Sequence, residues 1–263
     1  AHTFLPQVIE KGASAVVVER EVEVPENVTV IRVADARLAL AELSAAWFDH
    51  PTRKMTTTAV TGTNGKTTTT YLLKAILEQE AGAKVGLIGT NQNMIGSEVI
   101  PTERTTPESY ELQQYFHQMV EAGCEYMIME VSSQGLKMNR VAGISFDYGV
   151  FTNISPDHIG PNEHKDFEDY KRCKGLLFKQ CRLGIANVDD KYFEDVFSGA
   201  TCKVETFGFS EKADLRAENV RLVSRPGYLG VAYHVAGVMN FDVEIDVPGK
   251  FSVYNSLTAI SVC

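Results

Sequence analysis

Short apolar runs that lack polar alternation, spaced by amphipathic stretches, constrain the fold of this chain more than any other feature. Met55 to Val60 is strand-like, and Val85-Gly86-Leu87-Ile88-Gly89, Tyr126 to Val131 and Tyr148 to Ile154 are strand-sized and largely apolar. A sheet with one face in water would alternate, so these strands are expected to be parallel and covered on both sides. Helical patterns lie between them. Leu72, Ala75 and Ile76 share one face of a helix closed by Gly82. Leu112, Tyr115, Phe116, Met119 and Val120 form a second stripe, ended by Gly123 and begun at Thr106-Pro107, with Pro in the first helical position. The expected class is α/β, a mostly parallel sheet. After about Asp214 the texture changes to alternating strands, Tyr228 to Tyr233 and Phe241 to Ile245, which read as an antiparallel flank.

Residues 1–53 read as a fragment of a small α/β N-terminal domain, and residues 54–263 as a central domain. The fragment has two β-branched runs, Ala15 to Glu19 and Val28 to Val33, on either side of the turn signal Pro25-Glu26-Asn27. A helix from about Asp35 carries Leu40, Leu43 and Trp47 at helical spacing, and Pro51 ends it. The chain opens in mid-pattern, and its last residues, Phe251 to Cys263, begin a helix that stops without a cap. Both features are those of a piece of something longer.

Charge narrows the partners. Lys and Arg total 25 against 34 Asp and Glu, a difference of 25 − 34 = −9. So acidic a surface argues against nucleic acid or an anionic membrane as the main partner. No apolar run approaches the roughly 18–20 residues of a membrane span. Cys124, Cys173, Cys181, Cys202 and Cys263 are scattered, without a Cys-x-x-Cys pair, which fits a reducing cytoplasm better than a disulfide framework or a zinc site. A monomer is the default expectation.

Between a strand and a helix stands Thr61-Gly62-Thr63-Asn64-Gly65-Lys66-Thr67-Thr68. Its glycines let the backbone turn so that successive N–H groups and a helix N-terminus face phosphate oxygens. Lys66 brings a positive charge for the β- and γ-phosphates, and the Thr67 hydroxyl suits Mg²⁺. The strict form of such a loop begins with Gly where this chain has Val60. A second candidate is Glu130, at the end of the apolar strand Tyr126 to Met129, because ligands of open α/β sheets gather at the carboxyl ends of strands. A carboxylate there suits Mg²⁺, a cation that prefers oxygen. A third is Asp157-His158, expected to close the strand Val150 to Ile154 on the same rim. Lys174 falls within an apolar stripe formed by Phe167, Tyr170, Leu177 and Cys181, where an unpaired ammonium is costly.

The loop from Thr61 to Thr69 resembles the ATP loop of the Mur ligase superfamily, whose members join amino acids to a growing cell-wall precursor. Folylpolyglutamate and cyanophycin synthetases carry similar loops. Three further segments narrow the resemblance: Arg104-Thr105-Thr106-Pro107, Met129-Glu130-Val131-Ser132-Ser133, and Asp157-His158 followed by Tyr170 to Phe178. In this order they are similar to MurE-type enzymes, the UDP-N-acetylmuramoyl-tripeptide synthetases, and Phe4 to Val18 resembles the end of their N-terminal domain.

The resemblance implies an ATP-binding set of Gly62, Thr63, Asn64, Gly65, Lys66, Thr67 and Thr68, with Asn255 in the segment that meets the adenine. It implies two Mg²⁺ ions held by Thr67, Glu130, His158 and Lys174, the lysine being carbamylated by CO₂ so that a cation becomes a carboxylate. It implies contacts to a UDP-muramoyl-peptide through Thr105, Thr106, Ser132 and Arg140. Two departures are visible: Met138 stands where the family often has Gln, and Gly160 where many relatives have Asp, with Pro161-Asn162-Glu163-His164 as a local remodelling. The implied activity is ATP-dependent amide formation through an acyl phosphate. The implied acceptor is UDP-N-acetylmuramoyl-L-alanyl-D-glutamate, and the amine is a diamino acid such as diaminopimelate or lysine. The residues that choose between these belong to a C-terminal domain expected to lie beyond this chain, so nucleotide binding with little turnover is expected of these 263 residues. The rival readings are another ligase of the superfamily, of folylpolyglutamate type, and a nucleotide-binding module without chemistry.

Overall fold

A computed structural model of the chain describes residues 2–157, 159–161 and 163–263. After one 3-10 turn (His2–Phe4) come α1 (Leu5–Glu10), β1 (Ala15–Val18), β2 (Thr29–Arg32) and α2 (Ala36–Trp47). A second 3-10 turn (Pro51–Lys54) leads to β3 (Thr56–Thr61), α3 (Lys66–Glu80), β4 (Val85–Ile88), β5 (Asn93–Ile95), β6 (Glu98–Ile100), α4 (Ser109–Glu121), β7 (Tyr126–Glu130) and α5 (Ser133–Lys137). Then follow β8 (Phe146–Phe151), α6 (Phe167–Gly175), a 3-10 turn (Leu176–Lys179), β9 (Cys181–Asn187), α7 (Phe193–Phe197), β10 (Lys203–Gly208), β11 (Leu215–Arg225), β12 (Tyr228–Gly237), β13 (Phe241–Ile245) and α8 (Lys250–Val262).

The main sheet has 11 strands in the order β13-β12-β11-β10-β9-β8-β3-β7-β4-β5-β6. From β11 through β4 every pairing is parallel. The antiparallel flank expected after Asp214 is β11–β12–β13. A second antiparallel edge, β4–β5–β6, had no signal as clear, since its strands are only three residues long. β1 and β2 pair parallel in a separate two-stranded sheet.

Each face of the sheet has its own core. On one, Leu112, Phe116 and Met119 of α4, Leu136 of α5 and Tyr170 of α6 pack with Leu177 and Phe178 against Met127, Met129 and Phe151. On the other, Leu73 of α3 with Val253 and Leu257 of α8 covers Val60, Ile128, Val150 and Ile185. Alternate residues of β3, β7 and β8 thus point into different cores, which is why β7 reads as continuously apolar and the others show no polar alternation. No helix among the described residues is long and apolar enough to cross a membrane.

Several local expectations change. α2 exists, and Asp35 caps it by accepting from the N–H groups of Arg37 and Leu38, but its buried face is the opposite one. Ala41, Ser44 and Ala45 are buried, whereas Leu43 is 56% and Trp47 77% exposed. Small residues permit close approach where α2 packs on α4, and Asp35 also accepts from Asn139 at 2.9 Å, which fixes the rotation of the helix. α4 starts at Ser109 rather than Pro107, with Glu108 in the cap position and extended. β8 ends at Phe151, so Asp157 lies on a loop beyond the strand and not at its close. Cys181 opens β9 instead of continuing the helix of Lys174.

Candidate active site

The phosphate loop joins β3 to α3. Gly65 adopts φ 85°, a left-handed value that favours glycine, and a Cβ there would come within 2.6 Å of the Asn255 side-chain oxygen. α3 therefore opens without a side-chain cap, and its first-turn N–H groups have no intrahelical acceptor. Neighbouring strands brace the rest of the loop. The Thr63 and Asn64 N–H groups donate to the backbone and side-chain oxygens of Asn153 at 2.8 and 3.0 Å. The Asn64 carbonyl accepts from the Thr152 hydroxyl at 2.7 Å and from the Asn153 amide at 3.0 Å. Thr68 is exposed at the start of α3.

Two lysines converge on one carbonyl. Lys66 Nζ donates to Gly62 O at 2.9 Å and to Thr63 O at 3.1 Å. Lys174 Nζ donates to the same Gly62 O at 2.9 Å and lies 4.6 Å from the centre of the Tyr170 ring. Lys174 is 2% exposed. Burial first, and then the charge of Lys66, hold its pKa well below the usual lysine value. Burial also lowers Lys66, against the opposing attraction of Glu130 and Asp157. Lys171, one turn away, behaves oppositely. Asp195 and Glu168 bond its ammonium and raise its pKa. The only deeply buried, deprotonation-prone amine of this helix is Lys174.

Glu130 is fully buried at the tip of β7. Both of its oxygens lie 3.0 Å from the Thr67 hydroxyl. The N–H of Thr90 donates to Oε1 at 3.0 Å, and the Thr90 hydroxyl to Oε2 at 2.9 Å. No Lys or Arg forms an ion pair with this carboxylate among the described residues. Thr90 escaped the sequence reading, although its place just past an apolar strand was a usable signal, since strand tips on this rim collect ligand groups.

On the acceptor side, Thr105 Oγ1 lies 3.0 Å from Thr90 Oγ1. Thr106 is buried and committed: its hydroxyl donates to Glu130 O at 3.1 Å and accepts from Ser132 N–H at 3.0 Å. It pins the Glu130 strand tip to the start of α5. Ser132 caps α5 by accepting from Gly135 N–H. Thr106→Val orphans a buried carbonyl and a half-buried N–H, so a loss of about 1–3 kcal/mol is expected in chemical denaturation. Arg140 is engaged internally, donating to Glu108 at 2.7 Å and to Thr106 O at 3.1 Å.

His158 lies outside the described residues. Of the remodelled stretch after it, His164 is fully buried, with Nε2 2.9 Å from Ser133 Oγ and Nδ1 3.2 Å from an Asp169 oxygen. Asp169 also accepts from Lys137 and Arg172, and these contacts hold its carboxyl far below the ordinary range despite its burial. Cys173 is near enough to join His164 and Asp169 around an ion, but cations already occupy the carboxylate. The cluster is a clasp between α5 and α6.

Residues 60–263 match the Mur ligase middle domain. The chain is 44% identical over 262 residues to UDP-N-acetylmuramoyl-L-alanyl-D-glutamate--2,6-diaminopimelate ligase 1 of Clostridium acetobutylicum, covering 100% of this chain and 53% of that one. It is 43% identical to a ligase of the same description from Caldanaerobacter subterraneus subsp. tengcongensis, covering 98% of this chain and 53% of that one. A solved structure of a UDP-N-acetylmuramoyl-L-alanyl-D-glutamate--2,6-diaminopimelate ligase superimposes with a TM-score of 0.86 at 25% identity, over 99% of this chain and 53% of that one. The chain thus spans about half the length of the relatives it matches. It belongs to the Mur ligase family, whose middle domain it carries.

Proposed function

We propose that this chain is the nucleotide-binding and acceptor-facing part of a MurE-type ligase, which uses ATP to join a diamino acid to UDP-N-acetylmuramoyl-L-alanyl-D-glutamate. The observation that carries this is the meeting of Lys66, Thr67, Glu130 and Lys174 around one glycine turn, in a chain whose named relatives are diaminopimelate ligases. Diaminopimelate is accordingly the amine we favour. Residues 1–53 form the remnant of a substrate-binding domain, and 54–263 the catalytic platform. The enzyme works in the cytoplasm as a monomer.

In this reading the acceptor carboxylate attacks the γ-phosphorus, ADP leaves, and an acyl phosphate forms. The amine then attacks the acyl carbon, and phosphate departs. The protein contributes placement and charge. The first-turn N–H groups of α3 and the Lys66 ammonium receive phosphate oxygens, with Gly62, Thr63, Asn64, Gly65 and Thr68 shaping the loop. Asn255, beside Gly65, meets the adenine. Thr105, Ser132 and Arg140 face the acceptor, Arg140 by exchanging Glu108 for a substrate anion, and Thr106 holds that side of the rim.

A divalent cation fits the donor set: a hydroxyl at Thr67 and a buried carboxylate at Glu130 are hard oxygen ligands, and no Lys or Arg among the described residues forms an ion pair with that carboxylate. Bound Mg²⁺ supplies neutralisation of phosphate charge. By resemblance, His158 and a carbamylated Lys174 complete a set for two ions. A neutral Lys174 amine attacks CO₂, an N–C bond forms, and one proton is released to solvent.

The acceptor class is testable. Ligand-observed NMR with Mg·ADP present should show contact between this chain and UDP-N-acetylmuramoyl-L-alanyl-D-glutamate and none with a folate. A preference for the folate would transfer the chain to the folylpolyglutamate-type reading.

A further inference from the structure

We infer that Thr90 is a positioning residue that links the carboxylate of Glu130 to the acceptor side of the rim, so that metal affinity responds to the hydroxyl of Thr105. The inference rests on the reading of this rim as a nucleotide and metal site.

Thr90 stands one residue past Gly89, at the tip of β4. Its N–H donates to Glu130 Oε1 at 3.0 Å and its hydroxyl to Oε2 at 2.9 Å, so a single residue grips both oxygens. Gly89 makes this possible by close approach: a Cβ there would lie 2.7 Å from Oε1. The turn and the carboxylate are fitted to one another, and Glu130 has its orientation set before any ion arrives.

Proton counting then fixes a direction. An ionised carboxylate only accepts, and a hydroxyl has one proton to give. The Thr90 proton is spent on Glu130. At 3.0 Å from Thr90 Oγ1, the Thr105 hydroxyl must therefore be the donor in that pair. The order is Thr105 to Thr90 to Glu130, and each bond polarises the next. Thr105 keeps its lone pairs for a donor group on the acceptor substrate. A group that instead took the Thr105 proton would cut the relay and loosen the grip on Glu130. Thr105 is half-buried and Thr90 exposed at this rim, so the relay is open to a ligand.

The test is Mn²⁺ binding in the presence of ADP, followed by electron paramagnetic resonance, with circular dichroism to check folding. Thr90→Val should weaken Mn²⁺ about tenfold, the effect of losing one hydrogen bond to a charged group. Thr90→Ser should bind as the parent does. Thr105→Val should cost less, roughly two- to threefold, and nothing further once Thr90→Val is present, because the relay is already cut. Parent-like binding by Thr90→Val, a Thr90→Ser as weak as Thr90→Val, or multiplying losses in the double variant would overturn the inference alone. A parent that takes up no Mn²⁺ with ADP would overturn both the inference and the metal site beneath it.

Discussion

Glu130→Gln is expected to move metal binding and stability in opposite directions. Glu130 is a fully buried carboxylate whose partners are two hydroxyls and one N–H. Without an ion, no Lys or Arg is hydrogen-bonded to it among the described residues, so its desolvation is offset by these hydrogen bonds and by the attraction of Lys66 at longer range. An amide of the same shape removes that cost: its oxygen can accept from the Thr90 N–H, and its NH₂ can donate to the Thr90 and Thr67 hydroxyls after they rotate. Unfolding in the absence of divalent ions should therefore show Glu130→Gln at least as stable as the parent, by up to about 2 kcal/mol. Mn²⁺ affinity with ADP should fall about 10²–10³-fold, or about 3–4 kcal/mol, because the charged ligand is gone. In excess Mg·ADP the order of stabilities should reverse, since only the parent gains the full binding linkage. A variant that lost stability and kept its metal would show that Glu130 is a structural brace.

Lys174→Met carries the second large effect, and it involves pH. The folded-state pKa of Lys174 is depressed, by burial first and by Lys66 second, whereas the unfolded chain titrates near the ordinary value of about 10.4. Between those two values the unfolded state binds more protons, so stability rises with pH across that window. Below the folded value both states are charged and the slope vanishes. Lys174→Met should be more stable than the parent by about 1–3 kcal/mol at neutral pH in CO₂-free buffer, because an apolar side chain of similar volume replaces a buried amine. It should also lose most of the upward slope, with Lys66 contributing the remainder. In bicarbonate the parent should gain the mass of one CO₂ in intact-protein mass spectrometry under non-acidic conditions, and Lys174→Met should not. Lys171→Met should gain it like the parent, since Lys171 is held charged by Asp195 and Glu168 and is no nucleophile. Uptake that followed Lys171 instead would contradict the assignment.

The sequence was most legible where one physical demand acted alone. Strands β4, β7 and β8 announce themselves because burial on both faces favours apolar residues, and the phosphate loop because its glycines serve the backbone. The carboxyl-end rule brought Glu130 to the loop correctly. It put Asp157 at the close of a strand, whereas β8 gives way at Phe151 to a stretch whose Thr152 and Asn153 are spent bracing the phosphate loop, and Asp157 acts on Lys66 and Lys174 from the loop beyond. α2 failed for a different reason. Its large apolar residues are outward and its small ones inward, and a periodicity argument weighs size where close helix packing rewards its absence. The resemblance implies a substrate contact at Thr106, yet its hydroxyl joins two backbone groups, at Glu130 and Ser132. Thr90 follows an apolar strand, which marks it only as a rim position; its meaning comes from the carboxylate that β7 delivers beside it.

The central claim is that a nucleotide phosphate group and its divalent ion occupy the rim where the turn around Lys66 meets the tips of β4 and β7. Backbone amide NMR during a titration with Mg·ADP tests it most directly. Saturable shifts are expected at residues 62–68, at Thr90 and Glu130, and at Asn255 on α8. Shifts confined to other surfaces, such as the cleft between α6 and α7 lined by Lys171 and Ser198, or no saturable shift at all, would contradict the account.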